Sequence, residues 1–97
     1  MNNELDRKLP FSLEAEQSLL GSILIDPMCM DEIAPLISAE DFYVPEHTEI
    51  FRAMQSMYLK SKNIDVVTLI EELVKSGTYD ESGGREYLRL VAEAVPT

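Results

Sequence analysis

The sequence predicts an all-α fold, a compact orthogonal bundle of five main helices plus one short helical turn. Three observations support this fold class. Apolar residues recur at helical spacing in five separate segments of the chain. Capping side chains or prolines stand at the ends of most of these segments. The one run of β-branched residues, Val66-Val67-Thr68, also fits the helical period, so it does not indicate a strand. With 97 residues, the chain is expected to form one domain with a modest core.

The first predicted helix covers residues 12–25 and is expected to lie at the centre of the bundle. Ser12 is a suitable N-cap, and the Asp26-Pro27 pair ends the helix. Glu16 projects onto the apolar stripe, so it either lies near the surface end or is a buried carboxylate that needs a partner such as Arg52 or a backbone N–H. One side of the helix is an apolar stripe, and the opposite side carries small residues that allow another helix to approach closely. The stripe is Leu13, Leu20, Ile23 and Leu24, with Leu19 at its edge, and the small residues are Ala15, Ser18, Gly21 and Ser22.

The second predicted helix has Asp26 as its N-cap and Pro27 at its first position. Pro35 is expected to kink or end this helix early. A short helical turn over residues 38–41 then leads to Phe42-Tyr43, predicted to be two aromatic anchors in the core. The apolar face of the second helix comprises Met30, Ile33, Ala34 and Ile37.

The third and fourth helices have the clearest apolar periodicity. The third covers residues 45–60, and the fourth begins after the N-cap Asp65, with Ile64 reaching Leu69 as a hydrophobic staple. Gly77 is expected to adopt the left-handed conformation that ends the fourth helix. The inward stripe of the third helix is His47, Ile50, Phe51, Met54, Met57 and Tyr58, and that of the fourth is Val66, Leu69, Ile70, Leu73 and Val74.

The fifth helix is expected to begin at or just after Gly83-Gly84, with residues 78–84 forming an acidic and then flexible loop. It ends before Pro96 and places Tyr87, Leu88, Val91 and Val95 inward or at a groove. Residues 1–9 are polar and are predicted to be a flexible N-terminal tail, which leaves residues 10–97 as the globular helical head domain.

The charge and composition exclude several classes of protein. Eighteen acidic residues against eight basic ones give a net charge of −10, which argues against direct binding of nucleic acid. The acidity favours solubility, and the alternative is a surface for a basic partner domain. The sequence contains no signal peptide and no apolar run of about 20 residues, so no membrane contact is expected. A single cysteine, Cys29, cannot form an internal disulfide, and the predicted location is cytoplasmic.

The sequence contains no recognisable enzyme site. No glycine precedes a lysine, which excludes a GxxxxGK[ST] phosphate-binding loop, and no paired cysteines or HExxH motif occur. The only local acid and imidazole cluster is Glu46-His47-Thr48-Glu49. Side chains one or two residues apart on a helix do not face each other, so His47 is predicted to be a core-edge histidine with a satisfied hydrogen bond. We therefore predict no catalytic, metal-binding or cofactor-binding residue, and a small carboxylate-dependent enzyme is the disfavoured alternative.

A series of motifs, taken in order, resembles the N-terminal region of bacterial replicative DNA helicases of the DnaB type. Each motif alone is weak, but together they cover nearly the whole chain from Pro10 at family-like spacings. The motifs are Pro10-Phe-Ser-Leu-Glu-Ala-Glu-Gln-Ser-Leu-Leu-Gly21, Glu40-Asp-Phe-Tyr43, His47 with Ile50-Phe51 and Met54, Ile64-Asp-Val-Val-Thr-Leu69, Gly83-Gly84-x-x-Tyr87-Leu88 and Val95-Pro96-Thr97.

The resemblance implies a globular head domain and not the motor of such a helicase. In that family a separate C-terminal RecA-like domain binds ATP and Mg, and this chain lacks its phosphate-binding motif. Six heads with their helical hairpins form a collar on the hexameric ring. The collar receives the C-terminal helicase-binding domain of primase and responds to the helicase loader. The chain stops at Thr97, about where the hairpin would begin, so we expect a truncated domain that is a monomer or weak dimer.

The resemblance also implies candidate partner-binding residues. In the family the first helix and the loop before the last helix are associated with primase contact, and the corresponding positions here are Glu14 and Tyr87. The alternatives are a solvated cap carboxylate for Glu14 and a core tyrosine for Tyr87. The predicted function is therefore protein interaction and assembly in DNA replication. A free-standing acidic helical regulator or nucleic-acid mimic is the alternative that size and charge leave open.

Overall fold

The computed structural model describes residues 12–96, and within this range the chain forms five α-helices and no strand. The helices are α1 (Leu13–Ile25), α2 (Met30–Ile33), α3 (Pro45–Leu59), α4 (Val66–Lys75) and α5 (Glu81–Glu93). Two 3₁₀ turns, Pro27–Cys29 and Ala39–Asp41, precede α2 and α3. The all-α prediction is confirmed. The predicted tail at residues 1–9 lies outside the described residues.

The core is built mainly between α1, α3, α4 and α5. Its largest fully buried side chains are Leu20, Ile23, Met30, Ile50, Phe51, Met54, Leu69, Leu73, Leu88, Val91 and the polar His47. None of the helices between residues 12 and 96 is long and apolar enough to cross a membrane.

Helix α1 packs along α5 on one side and against α3 on another, as its two packing faces predict. The Ser12 hydroxyl accepts a hydrogen bond from the Ala15 N–H at 3.1 Å, which confirms the N-cap. Gly21 is buried against the backbone of α5, and a Cβ at this position would overlap the carbonyl oxygen of Val91. The small side of α1 therefore makes the predicted close approach. Leu13 departs from the predicted stripe, because it lies in the first turn and is 43% exposed.

Helix α2 is much shorter than its apolar pattern suggests. The Asp26 carboxylate accepts from the Met28 N–H at 3.2 Å, so Asp26 is the predicted cap, but it caps a 3₁₀ turn. The helix ends at Ile33, two residues before Pro35, which confirms the early end and shortens the predicted face. A proline ring clashes with the preceding turn and disfavours helical geometry in the residue before it. Of the predicted face, only Met30 is fully buried.

The two aromatic anchors before α3 behave differently. Phe42 is buried, with its ring 5.2 Å from that of Phe51, whereas Tyr43 is 49% exposed. The prediction that both enter the core is wrong for Tyr43. Phe42 has extended backbone geometry, with φ of −87° and ψ of 139°, and consecutive side chains of an extended segment point to opposite sides.

Helices α3 and α4 match their predicted bounds closely. Five residues of the α3 stripe are buried, and the sixth, Tyr58, lies at the edge and donates its hydroxyl to Asp31 Oδ1 at 2.7 Å. The Asp65 carboxylate accepts from the Thr68 N–H at 2.8 Å, as expected of an N-cap. Leu69, Ile70 and Leu73 are buried in the core. The predicted α4 face is too wide, because Val66 in the first turn and Val74 at the edge of the stripe are partly exposed.

Helix α5 begins at Glu81, and the prediction that it starts at or after Gly83-Gly84 is wrong. The Asp80 carboxylate accepts from the Gly83 N–H at 2.6 Å, and this cap places both glycines in the first turn. Gly84 is buried, and a Cβ there would lie 3.4 Å from Tyr79 Cβ and 3.9 Å from Ile70 Cγ1. The cap and the packing on α4 therefore override the poor helix propensity of glycine.

Gly77 has a φ of +78°, so it adopts the predicted left-handed conformation after α4. Nothing lies within 4 Å of a Cβ added at this position, so a substitution there strains only the backbone. We expect Gly77→Ala to lower the free energy of unfolding by about 1 kcal/mol. Urea denaturation measures this change. Gly77→Asn is the matched control, because asparagine tolerates the left-handed region, and equal stabilities of the two variants would contradict the backbone explanation.

Candidate partner-binding site

The two residues predicted to bind partners lie on α1 and α5, the helices that pack side by side. Glu14 is exposed in the first turn of α1, where the helix dipole favours a carboxylate. Tyr87 lies on α5 and is only partly exposed. Among the described residues no hydrogen bond joins these two side chains. Tyr87 instead reaches α1 through Gln17, whose Nε2 donates to the Tyr87 hydroxyl at 3.1 Å.

The Tyr87 hydroxyl also contacts a fully buried histidine. It lies 2.6 Å from Nε2 of His47, whose side chain has no exposed surface. The two rings stack with centroids 5.7 Å apart and an interplanar angle of 29°. This geometry confirms that His47 is a core histidine with its hydrogen bonds satisfied, and it gives Tyr87 a structural role in the domain.

Glu16 occupies the other side of the histidine ring. Its Oε1 lies 2.7 Å from His47 Nδ1, and its Oε2 accepts from the Tyr43 N–H at 2.7 Å. The Val44 N–H donates to Oε1 at 3.4 Å. The carboxylate on the apolar stripe of α1 thus holds the chain immediately before α3, which satisfies its need for a partner.

Arg52 is not the partner of Glu16, so that alternative is wrong and the backbone N–H alternative is confirmed. The Arg52 guanidinium lies 3.4 Å from Glu40 and 3.8 Å from Glu49, and its side chain is 52% exposed. Arg52 lies on the solvent side of α3 and His47 on its core side, so the histidine, and not the arginine, reaches the Glu16 carboxylate.

The hydrogen bonds of this network have one direction when the His47 ring is neutral. The Glu16 carboxylate has no hydrogen to donate and accepts from two backbone N–H groups. The ring nitrogen that faces it, Nδ1, must therefore carry a proton. In the neutral ring Nε2 is then an acceptor, and Tyr87 must donate to it. Gln17 donates in turn to the Tyr87 oxygen. This series of hydrogen bonds, from Gln17 to Tyr87 to His47 to Glu16, joins α5, α3 and α1 through one tautomer of the neutral histidine ring.

A second tyrosine, Tyr79, packs against this group. The Tyr79 ring stacks on Tyr87 with centroids 5.8 Å apart and an interplanar angle of 20°. Burial raises the pKa of Tyr79 to about 12, with smaller contributions from Tyr87 and Glu46. The Tyr79 phenol is therefore protonated at neutral pH and adds no charge to this edge of the domain.

Sequence reasoning identified each member of this network separately but not their contact. Glu16, His47 and Tyr87 each lie on the apolar stripe of a different helix. Polar side chains on inward faces require partners, so three of them on three helices were a signal that they meet. The relative placement of the helices, which no local pattern contains, decides which pairs form.

The chemistry of the described residues is that of support and recognition. His47 has no exposed surface that a substrate could reach. Between residues 12 and 96 no group of three or more His, Cys, Asp and Glu side chains is arranged to hold a metal ion. Of the two acidic residues in the first turn of α1, Glu16 belongs to the network and Glu14 is exposed to solvent.

Comparison with known proteins places this architecture in one family. The family model described as "DnaB-like helicase N terminal domain" matches residues 8–97. The replicative DNA helicase DnaB of Geobacillus stearothermophilus is 39% identical over 92 residues, and that of Leifsonia xyli is 36% identical over 92 residues. Each alignment covers 95% of this chain and 20% of the relative, so the chain spans about a fifth of the length of these curated relatives.

The similarity extends to a solved structure of the same domain. The crystal structure of the N-terminal domain of DnaB helicase from Mycobacterium tuberculosis superposes with a TM-score of 0.82 at 33% sequence identity. The superposition covers 91% of this chain and 64% of that chain. Together with the family match over nearly all of its residues, this similarity shows that the chain belongs to the DnaB-like helicase N-terminal domain family.

Proposed function

We propose that this domain is a protein-interaction and assembly module of a replicative DNA helicase. The observation that carries the proposal is the family match over residues 8–97, together with relatives named as replicative DNA helicases. In the whole protein the domain would contribute to the N-terminal collar of a hexamer and recruit primase and the helicase loader. ATP and Mg would be bound by the motor domain, and DNA unwinding would be the activity of the complete cytoplasmic helicase.

The acidic surface supports a role in holding protein partners and not DNA. A net charge of −10 repels phosphates, whereas it attracts the basic surface of a partner domain. Glu14 is exposed at the start of α1, so its carboxylate is free to face such a partner. Tyr87 supports the same edge from inside, since its hydroxyl bonds to His47 and Gln17. We propose that Glu14 contacts the partner directly and that Tyr87 positions the edge.

Calorimetric titration with the C-terminal helicase-binding domain of the cognate primase tests this function. We expect binding to the domain, weakened about fivefold by Glu14→Ala, because one rim ion pair is worth about 1 kcal/mol. Tyr87→Ala should weaken binding as well, and Tyr87→Phe should separate loss of the hydroxyl from loss of the ring. Glu32→Ala, an exposed carboxylate on α2, is the matched control and should leave affinity unchanged.

Two outcomes decide the proposal. Absence of binding, even for a chain extended with the helical hairpin of the family, would contradict the recruitment role. Binding that Glu14→Ala and Glu32→Ala weaken equally would assign the effect to overall charge and remove Glu14 from the contact. Sedimentation of each sample records its oligomeric state, which we expect to be monomer or weak dimer for the 97-residue chain.

A further inference from the structure

A surface groove lies between α4 and α5, with a volume of about 450 Å³. Three apolar residues of α4 line it, Val67, Ile70 and Val74. Ile70 is buried, whereas Val67 is 65% exposed and Val74 is 43% exposed. These valines face solvent although they sit beside the core, so the groove leaves apolar surface of α4 uncovered within the described part of the chain.

The groove follows from the glycine-rich start of α5. Gly84 is buried against Ile70 and Tyr79, which brings the first turn of α5 onto the middle of α4. Gly84 has no side chain that would cover α4 beside this contact. From α5, only Glu81 and Arg85, one turn apart, reach the groove.

The apolar residues of the groove have the spacing of a helix-binding strip. Val67, Ile70 and Val74 lie three and four residues apart, so they form a row along α4 that spans two turns, or about 10 Å. The apolar face of an amphipathic helix has the same repeat, with anchors at i, i+3 or i+4, and i+7. The groove therefore has the length of two turns of a partner helix.

The charges around the groove select the partner. Arg85 pairs with Glu81 at 2.8 Å, and Lys75 lies 3.9 Å from Glu72, so both cations already have carboxylate partners. Glu71 also lines the groove, and it has no ion pair among the described residues. The net charge of −10 repels acidic segments from the whole surface. A cation on the occupant, placed opposite Glu71, matches both observations.

We propose that the groove between α4 and α5 is a docking site for an amphipathic helix of a partner protein, with apolar anchors over Val67 and Val74 and a lysine or arginine facing Glu71. This site goes beyond the proposed function, because its residues differ from Glu14 and Tyr87. It gives the domain a second recognition surface, specific for a basic amphipathic segment.

NMR titration of the ¹⁵N-labelled 97-residue chain tests the site directly. The probe is a synthetic helical peptide of about 15 residues, with leucine on one face and lysine on the rim. We expect shift changes concentrated at the groove residues of α4 and at the first turn of α5. The double substitution Val67→Ser with Val74→Ser should weaken binding about tenfold, since it removes both exposed anchors. Leu59→Ser, which removes an apolar residue of α3 that is 79% exposed, should leave the affinity unchanged.

A pair of charge reversals separates docking in the groove from general attraction. Glu71→Lys and Glu32→Lys change the net charge equally, but only Glu71 lines the groove. We expect Glu71→Lys to weaken binding of the lysine peptide several-fold more than Glu32→Lys does. The Glu71→Lys variant should also bind more tightly the same peptide made with glutamate on its rim. Equal effects of the two reversals, or shift changes outside the groove, would overturn the proposal. The result is independent of primase titration, because it uses no primase.

Discussion

Gly21→Ala is expected to lower the free energy of unfolding by about 2 to 3 kcal/mol, although alanine is the better helix former. The added Cβ would overlap the Val91 carbonyl oxygen and lie 2.6 Å from Val95 Cγ2. The Val91 oxygen belongs to the backbone of α5 and accepts from the Ala94 N–H at 3.1 Å, so it cannot rotate away. The helices α1 and α5 must separate, and this strain exceeds the gain of about 1 kcal/mol from helix propensity.

Gly84→Ala is the matched control for this prediction. It changes a second buried helical glycine to the same residue, but its nearest neighbours would be ordinary contacts, 3.4 Å from Tyr79 Cβ and 3.9 Å from Ile70. We expect Gly84→Ala to be neutral or to raise the free energy of unfolding by up to about 1 kcal/mol. Urea denaturation of both variants gives the comparison. If Gly21→Ala is as stable as the parent, then α1 and α5 do not approach as closely as the structure indicates.

His47→Ala is expected to lower the free energy of unfolding by about 3 to 4 kcal/mol. The substitution leaves a cavity in the core, because the ring is fully buried. It also removes one hydrogen-bond partner from the Glu16 carboxylate and one from the Tyr87 hydroxyl, both of which remain mostly shielded from water. The cost therefore combines lost packing with two weakened polar groups.

Two further variants locate the source of that loss. Arg52→Ala on the same helix is the control, and we expect it to change stability by no more than about 0.5 kcal/mol, because its ion pairs are exposed. Tyr87→Phe keeps the stacked ring and removes only the hydroxyl, and it should cost about 1 to 2 kcal/mol. The ¹⁵N shifts of the neutral His47 ring should show the proton at Nδ1. Protonation at Nε2 in the neutral ring would contradict the direction of the network.

Local signals in the sequence determined most of the helices and several of their ends. Ser12 and Asp65 cap the helices that their side chains predict, Asp26 caps a 3₁₀ turn before α2, and Gly77 has the left-handed geometry expected of it. These features depend on neighbours a few residues away, which is why sequence reasoning reaches them. The family resemblance rests on the same motifs, and the match over residues 8–97 confirms it.

The start of α5 required the folded structure, whereas the early end of α2 was predicted from the local effect of Pro35. Gly83 and Gly84 are poor helix formers, and only the packing of Gly84 on Ile70, with the Asp80 cap, includes them in α5. The apolar face of α2 is present in the sequence, but the strain around Pro35 ends the helix at Ile33. At α5 the cap and a tertiary contact outweighed the local helix propensity, whereas at α2 the local effect of Pro35 outweighed the apolar pattern.

The candidate site also combines one feature that the local sequence determines with one that depends on tertiary structure. The exposure of Glu14 follows from its position off the apolar stripe of α1, so the sequence alone determines that it is available to a partner. The role of Tyr87 depended on tertiary structure, because its hydroxyl meets His47 and Gln17 across three helices. Periodicity assigns a side chain to a face of its own helix. Which groups on other helices it meets is set by how the helices pack, and that packing is a property of the whole core.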